Sequence, residues 1–153
     1  NHKKMTFIFI ACVLLFAAIV EQSHAQSSSW FKSRPQPLRT FYVATIAEHP
    51  IRNGTKEQPM TIDDIETLPP QPGDLFLLTF GNYHTKLDLK AENSGNATHP
   101  IVIMSVAGER ATIVGKVDID SDYTWFIDVE ITDPENKFGS TSALDVRGNH
   151  VRI

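Results

Sequence analysis

From residue 75 onward the chain alternates short apolar runs with polar turns, and no helical period returns. The runs at 75–80, 86–91, 101–106, 111–120, 124–132, 143–147 and 151–153 predict strands, because they hold β-branched and aromatic residues between turn formers. The turns carry Gly81-Asn82, Asn93-Ser94-Gly95-Asn96, Gly108, Asp133-Pro134 and Gly148-Asn149. Upstream, Phe41-Tyr42-Val43-Ala44-Thr45-Ile46 predicts one more strand, and His49-Pro50 and Asn53-Gly54 mark turns after it. Between 60 and 68 the spacing changes. Ile62, Ile65 and Leu68 are set against Asp63, Asp64 and Glu66, which predicts a short amphipathic helix with Thr61 as its N-cap. Pro69-Pro70 ends it, and Gln71-Pro72-Gly73-Asp74 fits a type II turn.

The apolar runs repeat. Leu75-Phe76-Leu77 returns as Ile101-Val102-Ile103, Trp125-Phe126-Ile127 and Val151-Arg152-Ile153, at offsets of 26, 24 and 26 residues. A repeat of that length, made only of strands and turns, points to a solenoid in which each repeat forms one coil. Equivalent strands then stack in parallel, and Ile103, Ile127 and Val129 are expected in the shared core. A β-sandwich also has short strands, but they need not recur at a near-constant offset. The amphipathic helix reads as a cap on the first coil, whose open edge otherwise invites aggregation.

The first residues follow another logic. Lys3-Lys4, the apolar run 7–20 and Ser23-His24-Ala25 form the three parts of a secretory signal peptide, residues 1–25, with the mature chain starting at Gln26. A translation start at Met5 would remove the two lysines from it. The alternative is a membrane anchor, but the run falls short of the roughly 20 apolar residues that cross a bilayer. The mature chain is therefore expected to be secreted, extracellular or periplasmic, with no membrane span. Residues 26–40 read as a linker, 41–72 as an opening strand with the capping helix, and 73–153 as the first coils of a longer protein. Cut off at Ile153, residues 26–153 are expected to associate end to end and to be inert alone. The lone Cys12 lies in the leader, so the mature part has no cysteine for disulfides, nucleophilic chemistry or Cys-based zinc sites. Net charge is −4 and no basic cluster follows Lys3-Lys4, which argues against nucleic-acid binding.

Four segments carry a resemblance. They are Phe41-Tyr42-Val43-Ala44 with Asn53-Gly54-Thr55-Lys56-Glu57-Gln58-Pro59, Pro72-Gly73-Asp74 with Gly81-Asn82-Tyr83, Asn93-Ser94-Gly95 with His99-Pro100-Ile101-Val102-Ile103, and 123–131. Together they resemble the opening of right-handed parallel β-helix proteins of the pectate-lyase-like superfamily, near the chondroitinase B and alginate lyase branch. The loop Ile46-Ala47-Glu48-His49-Pro50-Ile51-Arg52 departs from the Gly, Ser and Asp usual there. The resemblance implies an all-β, right-handed parallel β-helix and a polysaccharide or extracellular glycan as partner. It implies a polysaccharide lyase acting on uronic-acid polymers, or a non-catalytic adhesion, glycan-binding or structural rod. In such lyases a base removes the proton beside the uronate carboxyl while a cation neutralises that carboxyl. Those groups lie on later coils, so the catalytic residues are expected beyond residue 153 and none is assigned here.

Several residues have two readings each. Asp118, Asp120 and Asp122 alternate along one strand face. They read as a calcium site of the full-length protein or as a solvated face with Val117 and Ile119 inside. An EF-hand is excluded, since Tyr123 and Val129 stand where Gly and Glu are needed. Asp128 and Glu130, about 7 Å apart on a strand, fit an acid–base pair or plain outer-face charge. His84, His99 and His150 lack metal-ligand spacing. Tyr83, Tyr123, Trp125 and Phe126 suit sugar stacking or core packing. Asn53-Gly54-Thr55 and Asn96-Ala97-Thr98 match the N-glycosylation sequon, making Asn53 and Asn96 candidate acceptors.

Overall fold

A computed structural model describes residues 35–46, 48, 50–136 and 142–153, all within one compact unit, Pro35–Ile153. The expected leader lies outside the described residues, as does the linker up to residue 34. In chain order the strands are β1 (Arg39–Ala44), β2 (Met60–Thr61), β3 (Asp74–Leu78), β4 (Gly81–Leu89), β5 (Ile101–Ser105), β6 (Ala111–Ile119), β7 (Thr124–Ile127), β8 (Val129–Thr132) and β9 (Leu144–Val146). A single helix turn α1 (Asp64–Thr67) and a 3-10 turn at Ala91–Asn93 complete the described elements.

Among the described residues every strand pairing is parallel. One sheet has the order β2-β1-β3-β5-β7. The other has the order β4-β6-β8, with β9 also pairing β6. The chain passes from sheet to sheet and returns to the first sheet one strand further on, which is the path of a coil.

Side chains facing inward stack because the register puts like on like. Phe41 pairs with Phe76, Phe76 with Ile103, and Ile103 with Phe126. The rings of Phe41 and Phe76 lie 5.3 Å apart. From the opposite sheet Leu87 and Leu89 of β4 face Val117 and Ile119 of β6, all buried. Tyr83 is buried too; its hydroxyl lies 2.8 Å from the carbonyl oxygens of both Val43 and Thr79.

The Pro72-Gly73-Asp74 turn shows why its residues are what they are. Gly73 takes φ +87°, as the third place of a type II turn requires, and the Asp74 amide donates to the Gln71 carbonyl. Asp74 is buried and accepts two hydrogen bonds from Arg39, at 2.7 and 2.6 Å. The hydrogen bonding to Asp74, the largest influence on Arg39, raises its pKa. The pair ties β1 to β3 at the start of the register.

Four expectations shift. The register slips by one residue, since Leu75 pairs with Val102 rather than Ile101, and Trp125 meets Arg152 rather than Val151. The slip keeps Phe76, Ile103 and Phe126 on the inner face; a one-residue error turns a strand inside out. The run 124–132 is two strands, because Asp128 adopts φ +53° and turns a corner between the sheets. Ile127 therefore falls outside the core, in register with Met104 on the outer face, while Ile103 is fully buried and Val129 packs partly buried against the core. Finally, α1 is shorter than the predicted helix. Asp63 holds the N-cap place, because Thr61 belongs to β2 and donates its amide and hydroxyl to Asp64. Ile65 from α1 is fully buried in the core cluster.

Candidate functional site

The outer face of β4, β6 and β9 carries an aligned set of charges, Lys86, Asp88, Lys116, Asp118 and Asp145. Inward positions on β4 and β6 are apolar, so the residues between them must point out. The register aligns Lys86-Leu87-Asp88-Leu89 with Lys116-Val117-Asp118-Ile119, and the latter with Leu144-Asp145-Val146. The result is a pair of lysines, Lys86 and Lys116, beside a row of three aspartates, Asp88, Asp118 and Asp145, on strands about 4.8 Å apart.

Asp118 is the centre of this face. Its side chain is only 6% exposed, yet it sits between two ammonium groups. Lys116 Nζ forms an ion pair with Oδ1 at 2.8 Å, and Lys86 Nζ lies 3.5 Å from Oδ2. Burial pushes the carboxyl up, but the close charges of Lys116 and then Lys86 outweigh it and hold the carboxyl below its ordinary value. Lys116 is mostly covered, whereas Lys86 is 48% exposed and more loosely held. The face is edged by α1. Asp63 accepts from the Thr85 hydroxyl, and Glu66 accepts from the Asp88 amide, which satisfies a donor on the edge strand β4.

Asp120 and Asp122 have other partners. Arg147 Nε donates to Asp120 at 2.6 Å, and the Asn149 amide donates to Asp122, also at 2.6 Å. The three carboxylates singled out as a calcium candidate are thus each committed separately and do not form a common cage. Among the described residues no group of three His, Cys, Asp or Glu side chains is placed to hold a metal ion. Asp128 sits at the corner between β7 and β8, while Glu130 lies on β8, so the two do not share a strand face. Arg110 and Thr112 donate to Glu130, and with Arg110 the larger influence they lower its pKa.

The aromatic candidates divide. Tyr83 and Phe126 are buried in the core cluster. Tyr123 and His150 occupy equivalent turns of successive coils, both at positive φ, and their rings stack at 4.4 Å. Beside them the Arg152 guanidinium lies 4.3 Å over the Trp125 ring. His84 is exposed on β4, and His99 makes a separate contact with Thr98. Lys86, Lys116, Asp145 and Arg147 were not anticipated. The signal was present, because Lys-apolar-Asp-apolar occurs at both 86 and 116.

Parallel sheets, alternate return and stacked inner columns leave one architecture. The chain folds as a parallel β-helix. Comparison with solved structures agrees. The crystal structure of pectate lyase Pel9A matches with a TM-score of 0.60 and 22% sequence identity. The match covers 76% of this chain and 32% of that chain, so the chain spans about a third of the enzyme's length. No family model and no curated protein matches. No helix among the described residues is long and apolar enough to cross a membrane.

Proposed function

We propose that the chain is the front portion of an exported polysaccharide lyase acting on uronic-acid polymers, with the outer face of β4, β6 and β9 beneath the bound polymer. The observation that carries this reading is the Lys86–Asp118–Lys116 arrangement across two neighbouring coils in a fold like that of a pectate lyase. A polymer lying along the coil axis meets Lys86, whose half-exposed ammonium is free enough to pair with a uronate carboxylate. Such pairing eases removal of the neighbouring proton, because it stabilises the negative charge that then develops. Lys116 and Asp118 position Lys86 and are not assigned to the proton transfer, which belongs to residues beyond 153. Export rests on the leader at 1–25.

A second reading is a glycan-binding rod without catalysis. It draws on the balance of this face, where Asp118 and Asp120 are already matched by Lys86, Lys116 and Arg147. One experiment separates the two. The full-length protein is incubated with alginate, pectin and chondroitin, and the ultraviolet absorbance of unsaturated uronate is followed. The lyase reading expects product from one polymer and, in Lys86→Ala, a lowered kcat as well as a lowered kcat/KM, because a charge that helps the transition state has been removed. Retention of polymer without product supports the rod, and no interaction with any polymer removes both.

A further inference from the structure

Both sequons lie among the described residues, and their surroundings differ. We propose that Asn96 accepts an N-linked glycan in the folded protein and that Asn53 does not. Asn96, Ala97 and Thr98 are all exposed, at the tip of a turn closed by reciprocal backbone hydrogen bonds between Asn96 and His99. Three donors converge on Asn96 Oδ1: the Thr98 amide at 3.1 Å, the Thr98 hydroxyl at 2.8 Å and the His99 amide at 2.9 Å. They fix the plane of the side-chain amide. Among the described residues no hydrogen bond falls on Nδ2, the atom that takes the sugar.

The turn is anchored on both flanks, where the Gly73 amide donates to the His99 carbonyl and the Asp122 amide to Ser94 Oγ, while Asn96, Ala97 and Thr98 stay exposed. The Gly95 amide donates to the Asp122 carbonyl, and a Cβ at Gly95 would lie 2.7 Å from the Tyr123 carbonyl oxygen. A glycan on the tip therefore projects from the corner without disturbing the stacked strands. Asn53 and Thr55 are exposed too, and Asn53 Oδ1 accepts the Thr55 amide at 3.1 Å, but the residue between them is held differently. Gly54 is buried, with φ +77°, and a Cβ there would lie 2.6 Å from Phe41 Cδ1. The Gly54 carbonyl accepts from Tyr42 in β1, and its amide donates to the Gln58 carbonyl. The Thr55 hydroxyl accepts from the Gln58 amide instead of bonding to Asn53. A transferase reaching this sequon after folding has to peel the turn off β1; at Asn96 it meets a free tip.

The donor is a lipid diphosphate carrying an oligosaccharide. Asn96 Nδ2 bonds to the anomeric carbon and gives one proton to a base of the transferase. The bond from that carbon to the diphosphate oxygen breaks, and the lipid diphosphate leaves with the electron pair.

The test uses the full chain behind the leader of a well-exported protein, secreted from a host that N-glycosylates, so that export is not in question. The purified, folded, deglycosylated-background protein from a non-glycosylating host is treated in parallel with oligosaccharyl transferase and the lipid-linked donor. The expected result in both is a mass increase that peptide-N-glycosidase removes, leaving Asp at position 96. Asn96→Gln and Thr98→Ala abolish it in the folded sample, and Asn53→Gln leaves it intact. Unmodified Asn96 in the secreted protein, or folded protein that accepts sugar at Asn53 instead, overturns the proposal.

Discussion

Replacing Lys116 by Met removes the ammonium 2.8 Å from Asp118 and keeps a side chain of similar length. Breaking a fully buried pair costs about 3–5 kcal/mol, and breaking an exposed one about 0–1 kcal/mol. Here Asp118 is 6% exposed and Lys116 16%, but Lys86 remains at 3.5 Å as a partial partner. The expected loss at neutral pH is therefore intermediate, roughly 1–3 kcal/mol. The pH dependence follows from the sign of the shift. In the parent the folded pKa of Asp118 lies below its unfolded value, so the ionised carboxylate stabilises the fold above about pH 4. That contribution is lost as the pH falls through the folded value. In Lys116→Met burial is less opposed and the carboxyl rises. The gap between variant and parent should then be widest near neutrality and close once Asp118 is protonated in both states. Urea unfolding at neutral pH and at a series of falling pH values through the acid limb measures it. Adding Asp118→Asn to the variant removes the stranded charge and should recover most of the loss. A variant as stable as the parent at neutral pH, or a deficit that stays constant in acid, would refute the role given to this pair.

Two further substitutions probe the coil. Phe126→Ala should cost about 3–5 kcal/mol as a core truncation, and Ile127→Ala clearly less, because the corner at Asp128 puts Ile127 on the outer face. Equal losses in thermal unfolding would place both in the core. Gly148→Ala should also destabilise, by about 1–3 kcal/mol. Its new Cβ would meet the Ser121 carbonyl oxygen at 2.1 Å, so backbone has to move. A melting curve matching the parent's would mean that the two turns are not in contact.

The sequence carries the architecture more clearly than the site. The repeat made the coil legible, and Pro72-Gly73-Asp74 marked its first turn, because Gly73 needs positive φ. What it could not carry is the register within a repeat. Leu75, Phe76 and Leu77 are all apolar, so the pattern alone does not say which one faces in. Both sides of the first sheet are apolar, with Leu75, Val102, Met104 and Trp125 each under a tenth exposed beside the core residues. Alternation is silent where both faces are buried. The corner at Asp128 was hidden for a different reason. It is a single residue at positive φ that is not glycine, within a run that reads as one strand. The charged face escaped because Lys86 and Lys116 are 30 positions apart, outside the repeat taken from the first sheet.

Successive coils do not use the same number of residues, yet their strands stay in step. Between the second and first sheets the chain takes residues 90–100 in one coil and only 120–123 in the next. That difference in length is discharged at the corner, and the stacked columns of the first sheet do not feel it. Core and periphery can therefore change on separate schedules: an insertion at a corner alters what the surface presents without repacking Phe76, Ile103 or Phe126. A protein built this way can acquire a new surface feature by lengthening one turn while its interior remains under the constraint it had before.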